Sequence, residues 1–392
     1  MKSKYPDGDI SVYVHIPFCV RKCLYCDFNS FAASEDVRSE YISALLHETD
    51  EKRSIIEGRN IVSVYIGGGT PSLLDADAVS SILSSISRAS DISDDAEITM
   101  EMNPGTVTSD KVRGYVRAGV NRASIGLQSA SDKELRALGR IHVTADFLRS
   151  YDIVREAGIE NVNVDIMTGI PCQTEASLIK TIDHVTALSP EHISAYSLII
   201  EEGTPFFDIG EDRLNLPGEE ETYRLYKLTQ EYLSDKGYDR YEISNYARKS
   251  GTHDHRCRHN LRYWERKEYA GFGISAASFI GGRRYTNTDN ISSYLKAPGA
   301  EHAEDRSIDD KSGMEEFMYL GLREIRGVSE EDFLNAFDRD IWDIYGEVIE
   351  KHISRGLMTR GNGRIALTEK GIDVSNIVLS EYLRYCSDSS AH

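Results

Sequence analysis

Six short runs rich in β-branched and aromatic residues, with amphipathic segments of helical length between them, constrain this chain more than any other feature. They are VYVHIP from Val12, IVSVYIG from Ile61, EITMEMN from Glu97, RASIGLQ from Arg122, NVNVDIMTG from Asn161 and HISAYSLI from His192. Helical patterns near 37–55, 76–89, 108–118, 144–157 and 175–188 separate them. Alternation at this spacing predicts βαβ units around a parallel sheet. Each run also ends in a chemically distinctive loop: a cysteine motif, then GGGTPS, EMNPG, LQS, DIMTGIP and LIIEEGTP. A doubly wound sheet gathers its ligand at one switch point. A parallel barrel brings the loop after every strand to a common mouth. The expectation is an α/β fold whose core, residues 1–240, is a partial (β/α)6 TIM-like barrel.

Beyond a helical segment near 219–236, residues 241–295 read as a strand-and-loop extension of the barrel containing HNLRYW. The stretch 296–312, KAPGAEHAEDRSIDDKS, is acidic and has no apolar period, which predicts a linker. Residues 313–392 carry helical patterns at 313–325, 329–337 and 340–354, a hairpin candidate around Gly361-Asn362-Gly363, and a final helix in EKGIDVSNIVLSEYL. Ser329 with Asp332 reads as a capping box. Helices, hairpin, helix is the order of a small winged-helix-like α+β domain. Its acidic residues outnumber its basic ones, so partner contact or packing is expected there rather than DNA reading.

The 392-residue chain has a formal net charge of −19, which argues against a nucleic-acid partner. No apolar run reaches the roughly 20 residues that span a bilayer, and the N-terminus lacks a signal-peptide core. A cytoplasmic protein that is not integral to a membrane is expected. Six cysteines are too few for a disulfide framework at this length.

Three of the six, Cys19, Cys23 and Cys26, are spaced C-x3-C-x2-C on the loop after the first strand. Clustered soft thiolates select zinc, copper(I) or iron–sulfur clusters. Structural zinc usually closes its site with four protein ligands, so a tight trio without a nearby pair suits three irons of a [4Fe–4S] cluster. A zinc knob completed by His15, or three incidental thiols, is the alternative. Cys172, Cys257 and Cys386 are scattered and read as buried or incidental. Gly67, Gly68 and Gly69 let the backbone approach a ligand with no Cβ in the way, although tight βα turns need glycine as well.

Together CVRKCLYCDF and GGGTPS resemble the radical S-adenosylmethionine enzymes. The similarity continues through YVHIPFC, EMNPGT, SIGLQSAS, LGRIH, VNVDIMTGIP, YEISNYA and HNLRYW. These motifs are similar to those of the coproporphyrinogen III dehydrogenase-like subfamily and, within it, the HemW heme-chaperone branch. The resemblance implies that Cys19, Cys23 and Cys26 hold the cluster and that S-adenosylmethionine chelates its open iron. It places Tyr13 against the methionyl sulfonium and assigns Gly68, Gly69 and Thr70 to the cofactor loop. Glu101 becomes a carboxylate that contacts the cofactor, and Tyr25 an aromatic that shields the cluster. Gln128, Arg140 and Asp165 match polar residues lining the cofactor or substrate region. Read singly, Glu101 and Asp165 are equally suited to N-capping, Gln128 to satisfying a strand end, and Arg140 to a surface ion pair.

In HNLRYW, His259 stands beside Tyr263 and Trp264, a set suited to ligating heme iron, or to an ordinary core cluster. The heme-chaperone branch has this motif, which makes His259 the candidate heme ligand. Upstream, His253, His255, Cys257 and His259 alternate as side chains on one strand face would, and the role of Cys257 stays open. The dehydrogenase pattern has a fourth cysteine two positions after the third, where this chain has Phe28. It also has a long N-terminal arm, whereas only 18 residues precede Cys19 here. Both departures favour heme delivery over oxidative decarboxylation. The reading implies heme, an apo-hemoprotein acceptor with a respiratory enzyme as one candidate, and a reductant protein. It leaves open a homodimer and whether a 5′-deoxyadenosyl radical forms.

Overall fold

A computed structural model describes residues 8–388, with side chains described through 383; Cys386 lies outside the described side chains. Six strands run parallel: β1 (Asp9–Ile16), β2 (Asn60–Gly68), β3 (Ile92–Met102), β4 (Arg122–Gln128), β5 (Asn161–Thr168) and β6 (His192–Ser197). Between and after them come α1 (Glu35–Glu51), α2 (Ala76–Ala89), α3 (Ser109–Ala118), α4 (Asp132–Ala137), α5 (Thr144–Glu156), α6 (Glu175–Ala187), α7 (Pro205–Ile209) and α8 (Glu219–Asp235).

The extension then adds β7 (Tyr238–Arg240), β8 (Asn245–Arg248), α9 (Arg258–Trp264), β9 (Tyr269–Phe272), β10 (Ala277–Ile280), β11 (Arg283–Asn287), α10 (Ile291–Lys296) and β12 (His302–Ser307). All twelve strands form one sheet, in the order β12-β11-β10-β9-β1-β2-β3-β4-β5-β6-β8-β7. The sheet does not close on itself, so the barrel is partial, as expected.

Alternation along the strands explains both faces of this sheet. Val12, Val14 and Ile16 of β1, Val64 and Ile66 of β2, and Val162, Val164 and Ile166 of β5 belong to the main hydrophobic core. The intervening positions form a polar lumen. Ser11 pairs in register with Ser63, Tyr13 with Tyr65, and Glu101 with Ser124. Cross-strand hydrogen bonds satisfy this inner face: Ser63 to Ser11 at 2.7 Å, Asn163 to Ser124 at 2.8 Å, and His192 with Asn163 at 2.6 Å. Buried polar groups are tolerable where they are paired in this way.

Helix α9 forms the floor. The Glu97 carboxylate accepts the backbone N–H groups of Arg258 and His259, both at 3.1 Å, which holds the first turn of α9 against β3. The segment His253–His259 is therefore loop followed by helix, and the expected strand-like alternation is absent. Cys257 is fully buried beside Glu97, and burial pushes its thiol up to about 12.

The expected linker also differs. Residues 302–307 form β12, paired antiparallel with β11. Every residue of β12 is exposed, so no face carries the apolar alternation that marks a strand. Backbone pairing and the Arg283–Asp305 ion pair hold it instead.

The last unit contains α11 (Asp310–Gly321), β13 (Val328–Ser329), α12 (Glu330–Phe337), α13 (Ile341–Ser354), β14 (Met358–Gly361), β15 (Arg364–Leu367), α14 (Glu369–Asp373) and α15 (Ser375–Asp388). A three-stranded sheet, β13-β15-β14, packs with the helices around a second core that includes Phe333, Tyr345 and Tyr382. Asn362 and Gly363 both have positive φ, the geometry of a two-residue hairpin turn. The expected final helix is two helices that break at Val374. The unit docks on the barrel through Arg266–Glu316 at 2.9 Å and Lys227–Asp373 at 3.1 Å.

Candidate functional site

At the C-terminal ends of the parallel strands a cavity of about 310 Å³ opens. Its lining brings together Cys19, Cys23, Cys26, Tyr25, Gly68, Gly69, Thr70, Glu101, Gln128, Arg140 and Asp165. These come from five different strand ends, as a barrel mouth requires. Tyr13 lies one layer below, its hydroxyl against His15 Nδ1 at 2.9 Å and its ring stacked on Tyr65. His259 lies elsewhere.

The glycine loop has a steric explanation. Gly68 has φ +113°, and a Cβ there would stand 2.5 Å from the His15 ring. A Cβ at Gly69 would meet the carbonyl oxygen of Phe18 at 2.7 Å. The loop therefore presses against the base of the cysteine loop, and its backbone faces the cavity. The Gly68 N–H donates to Glu101 at 3.0 Å, and the Tyr65 hydroxyl donates to the same carboxylate at 2.8 Å.

Burial, with repulsion from Asp165, still outweighs those two bonds and pushes Glu101 up to about 7. Burial also raises Asp165, which accepts from Asn163 at 2.7 Å. The two acids share one desolvated wall, so a cationic ligand group is favoured there. Neither serves as a helix cap.

Arg140 is not a surface residue. Its guanidinium reaches the Cys23 thiol at 3.5 Å, Asn103 Oδ1 at 3.1 Å and the carbonyl of Gly126. This places a guanidinium directly beside one of the three thiols. Asn103 also donates to Thr70 Oγ1 at 2.7 Å, and Thr70 donates to the Cys19 sulfur at 3.5 Å. Asn103 thus ties the second and third loops to two of the cysteines. Gln128 adopts φ +73° and accepts from Tyr196 at 2.9 Å. Strained backbone of this kind persists only where its surroundings hold it.

Motif reading did not single out Asn103, Tyr65 or Tyr196. Tyr65 was within reach, since alternation places it on the same face as Gly67 and Ser63. Asn103 precedes Pro104 in the quoted EMNPG loop, but only the fold shows that it faces two other loops.

The donor set fits an iron–sulfur cluster better than a zinc knob. Both ring nitrogens of His15 are occupied, by Tyr13 at 2.9 Å and by the carbonyl of Asn29 at 3.0 Å, so it supplies no fourth ligand. Among the described residues no group of three His, Cys, Asp or Glu side chains is arranged around a single metal ion. Three half-buried thiols around one cavity instead suit a cluster with separate irons. The Gly68–Gly69 cradle and the acidic wall suit the amino-acid end of S-adenosylmethionine.

The candidate heme ligand His259 lies apart from the mouth. It is 1% exposed on the barrel floor, with Nδ1 against Ser63 Oγ and Nε2 against the Tyr263 hydroxyl, both at 2.9 Å. Its ring packs against Tyr65 with centroids 5.2 Å apart, and burial pushes its pKa down to about 3. In this arrangement both ring nitrogens are paired and the ring is enclosed.

A family model described as the radical SAM superfamily matches residues 13–185, and one described as the HemN C-terminal domain matches residues 308–374. The chain is 33% identical over 378 residues to the heme chaperone HemW of Bacillus subtilis (strain 168), covering 95% of this chain and 99% of that protein. It is 34% identical over 380 residues to the heme chaperone HemW of Escherichia coli (strain K12), covering 95% and 98%. The solved structure of coproporphyrinogen III oxidase (HemN) from Escherichia coli, a radical SAM enzyme, superposes with a TM-score of 0.83. At 21% identity over 97% of this chain and 91% of that one, this likeness speaks for the fold alone. The mouth built from the cysteine and glycine loops and the full-length likeness to the two chaperones agree: the chain belongs to the HemW heme-chaperone family of the radical SAM superfamily.

Proposed function

We propose that this protein binds heme and hands it to a heme-free acceptor hemoprotein, and that its barrel mouth carries a [4Fe–4S] cluster with S-adenosylmethionine. The observation that carries this reading is the match along nearly the whole chain to heme chaperones, including both the barrel and the last domain. Phe28 in place of a fourth cysteine supports it against a coproporphyrinogen dehydrogenase.

When bound, such a cluster supplies a one-electron reductant at its open iron. The chain's own residues do the rest. Cys19, Cys23 and Cys26 would hold the cluster, with Arg140 fixed beside Cys23. Gly68 and Gly69 leave room for the cofactor's amino-acid end. Glu101, held by Tyr65 and the Gly68 N–H, and Asp165 face its cationic groups. Gln128 and Tyr196 close the far wall.

The reading includes a reductant protein as partner and places the work in the cytoplasm. Among the described residues no helix is long and apolar enough to cross a membrane. Anaerobic reconstitution with iron and sulfide, then heme loading and mixing with a heme-free acceptor, tests the proposal, with self-association followed by sedimentation in the same sample. Heme should appear in the acceptor at the expense of this protein. Protoporphyrinogen formation from coproporphyrinogen III at enzymatic rates would establish the dehydrogenase reading instead.

A further inference from the structure

Asp165 stands at the end of a chain of hydrogen bonds that crosses the lumen from the junction with the last domain. The chain begins at Tyr241, just beyond β7. Its backbone N–H donates to Asn245 O at 3.1 Å, and its carbonyl accepts from Ile325 N at 3.0 Å. The Tyr241 hydroxyl accepts from Cys257 N at 3.1 Å and lies 2.8 Å from His192 Nε2. His192 Nδ1 lies 2.6 Å from Asn163 Oδ1, and Asn163 Nδ2 donates to Asp165 at 2.7 Å. His192, Asn163 and Tyr241 are all buried.

The bonds fix the direction of each link. Asn163 directs its two amide protons to Asp165 and to Ser124 Oγ at 2.8 Å, and its oxygen also accepts from Ser194 Oγ at 3.1 Å. The His192 atom that meets this oxygen must therefore carry a proton, which makes Nδ1 the protonated nitrogen. Burial, with the Arg122 guanidinium nearby, holds the ring neutral by pushing its pKa well below the usual histidine value. Nε2 is then an acceptor, and the Tyr241 hydroxyl donates to it. The far end of the chain presents an N–H to Asp165. An asparagine free to flip would turn its oxygen on the carboxylate instead, and Asp165 would need a proton to face it.

We propose that His192 is a positioning residue for the mouth: it locks the Asn163 amide so that Asp165 faces the cavity as an acceptor for a cationic group of S-adenosylmethionine. This inference rests on the cofactor reading proposed above. Asp165 lines the cavity and His192 does not, so His192 acts through Asn163 rather than by touching the ligand.

The test is a calorimetric titration of S-adenosylmethionine into the cluster-loaded, full-length protein. Asn163→Leu should weaken binding about tenfold, the size of one charge-assisted hydrogen bond. His192→Phe should weaken it about fivefold with the iron content of the parent. The double variant should bind no more weakly than Asn163→Leu alone, whereas a merely structural histidine would add its own loss. Tyr241→Phe, which removes one hydroxyl, carries the same comparison if His192→Phe loses the cluster. In the cofactor-free parent, isotope labelling of the histidine ring nitrogens should show His192 as the neutral Nδ1–H tautomer, its signals assigned by their loss in His192→Gln. Parent affinity in His192→Phe, additive losses in the double variant, or an Nε2–H tautomer overturns this inference alone. A parent that binds no S-adenosylmethionine overturns the reading of the mouth and this inference with it.

Discussion

Replacing Glu101 by glutamine should remove a defined part of the protein's pH-dependent stability. Glu101 rises from 4.5 to about 7 on folding, because burial and Asp165 disfavour its charge more than Tyr65 and Gly68 favour it. A raised carboxyl group binds its proton more tightly in the folded than in the unfolded chain. Its contribution is fully present below pH 4.5 and is lost as pH rises through 7. At 1.36 kcal/mol per unit, the whole shift amounts to about 3 kcal/mol, of which about 2.5 kcal/mol falls between pH 5 and pH 8. Glutamine keeps the shape but does not titrate. Urea unfolding of the cofactor-free protein at pH 5 and pH 8, with Trp342→Phe so that Trp264 reports on the barrel, should show a smaller loss in Glu101→Gln. The difference from the parent should be about 2–3 kcal/mol. Equal losses in both proteins would refute the assignment of that proton to Glu101.

Three further outcomes follow from the same geometry. Gly68→Ala forces a side chain to φ +113° and into His15, so it should cost about 1–2 kcal/mol from the backbone alone. Calorimetry should also find S-adenosylmethionine binding abolished in that variant. His259→Ala strands the Tyr263 hydroxyl, while Ser63 keeps its bond to Ser11, at about 1–3 kcal/mol for the group left unpaired. Its melting temperature should fall clearly below that of the parent. Arg140→Lys keeps a positive charge but loses the fork that holds Cys23, Asn103 and Gly126 together. Iron analysis after reconstitution should show reduced cluster retention in Arg140→Lys and a greater loss in Arg140→Ala.

Most of the barrel was legible because each strand and helix there buries one face. The helix expected at 76–89 is found at those residues, where the buried positions Val79, Ile82, Leu83 and Ile86 repeat at helical spacing. β12 was not legible, because none of its six side chains is buried and nothing in HAEDRS marks a strand. The floor failed for a different reason. Seven residues of α9 make barely two turns, too few for a helical period to outvote the alternation of His253, His255, Cys257 and His259.

The site divides in the same way. Groups contributed by one loop, such as the three cysteines, show as local spacing. Asn103 and Tyr65 act only by joining loops that are distant in sequence.

The pairing of β1 with both β2 and β9 sets the order in which this chain can finish folding on a ribosome. Tyr13 lies beside Tyr65 on one side and Gly271 on the other. The first strand made is thus a central one, yet one of its edges stays open until more than two-thirds of the chain has emerged. During that interval the apolar row Val12, Val14 and Ile16 is only partly covered and an unpaired strand edge is available to other chains. The cysteines directly after β1 are displayed over the same period, before the floor and the last strands lock the mouth. Cluster insertion is therefore best timed after β9 has docked, and synthesis stalled between β6 and β9 should yield chains that aggregate rather than a smaller working barrel.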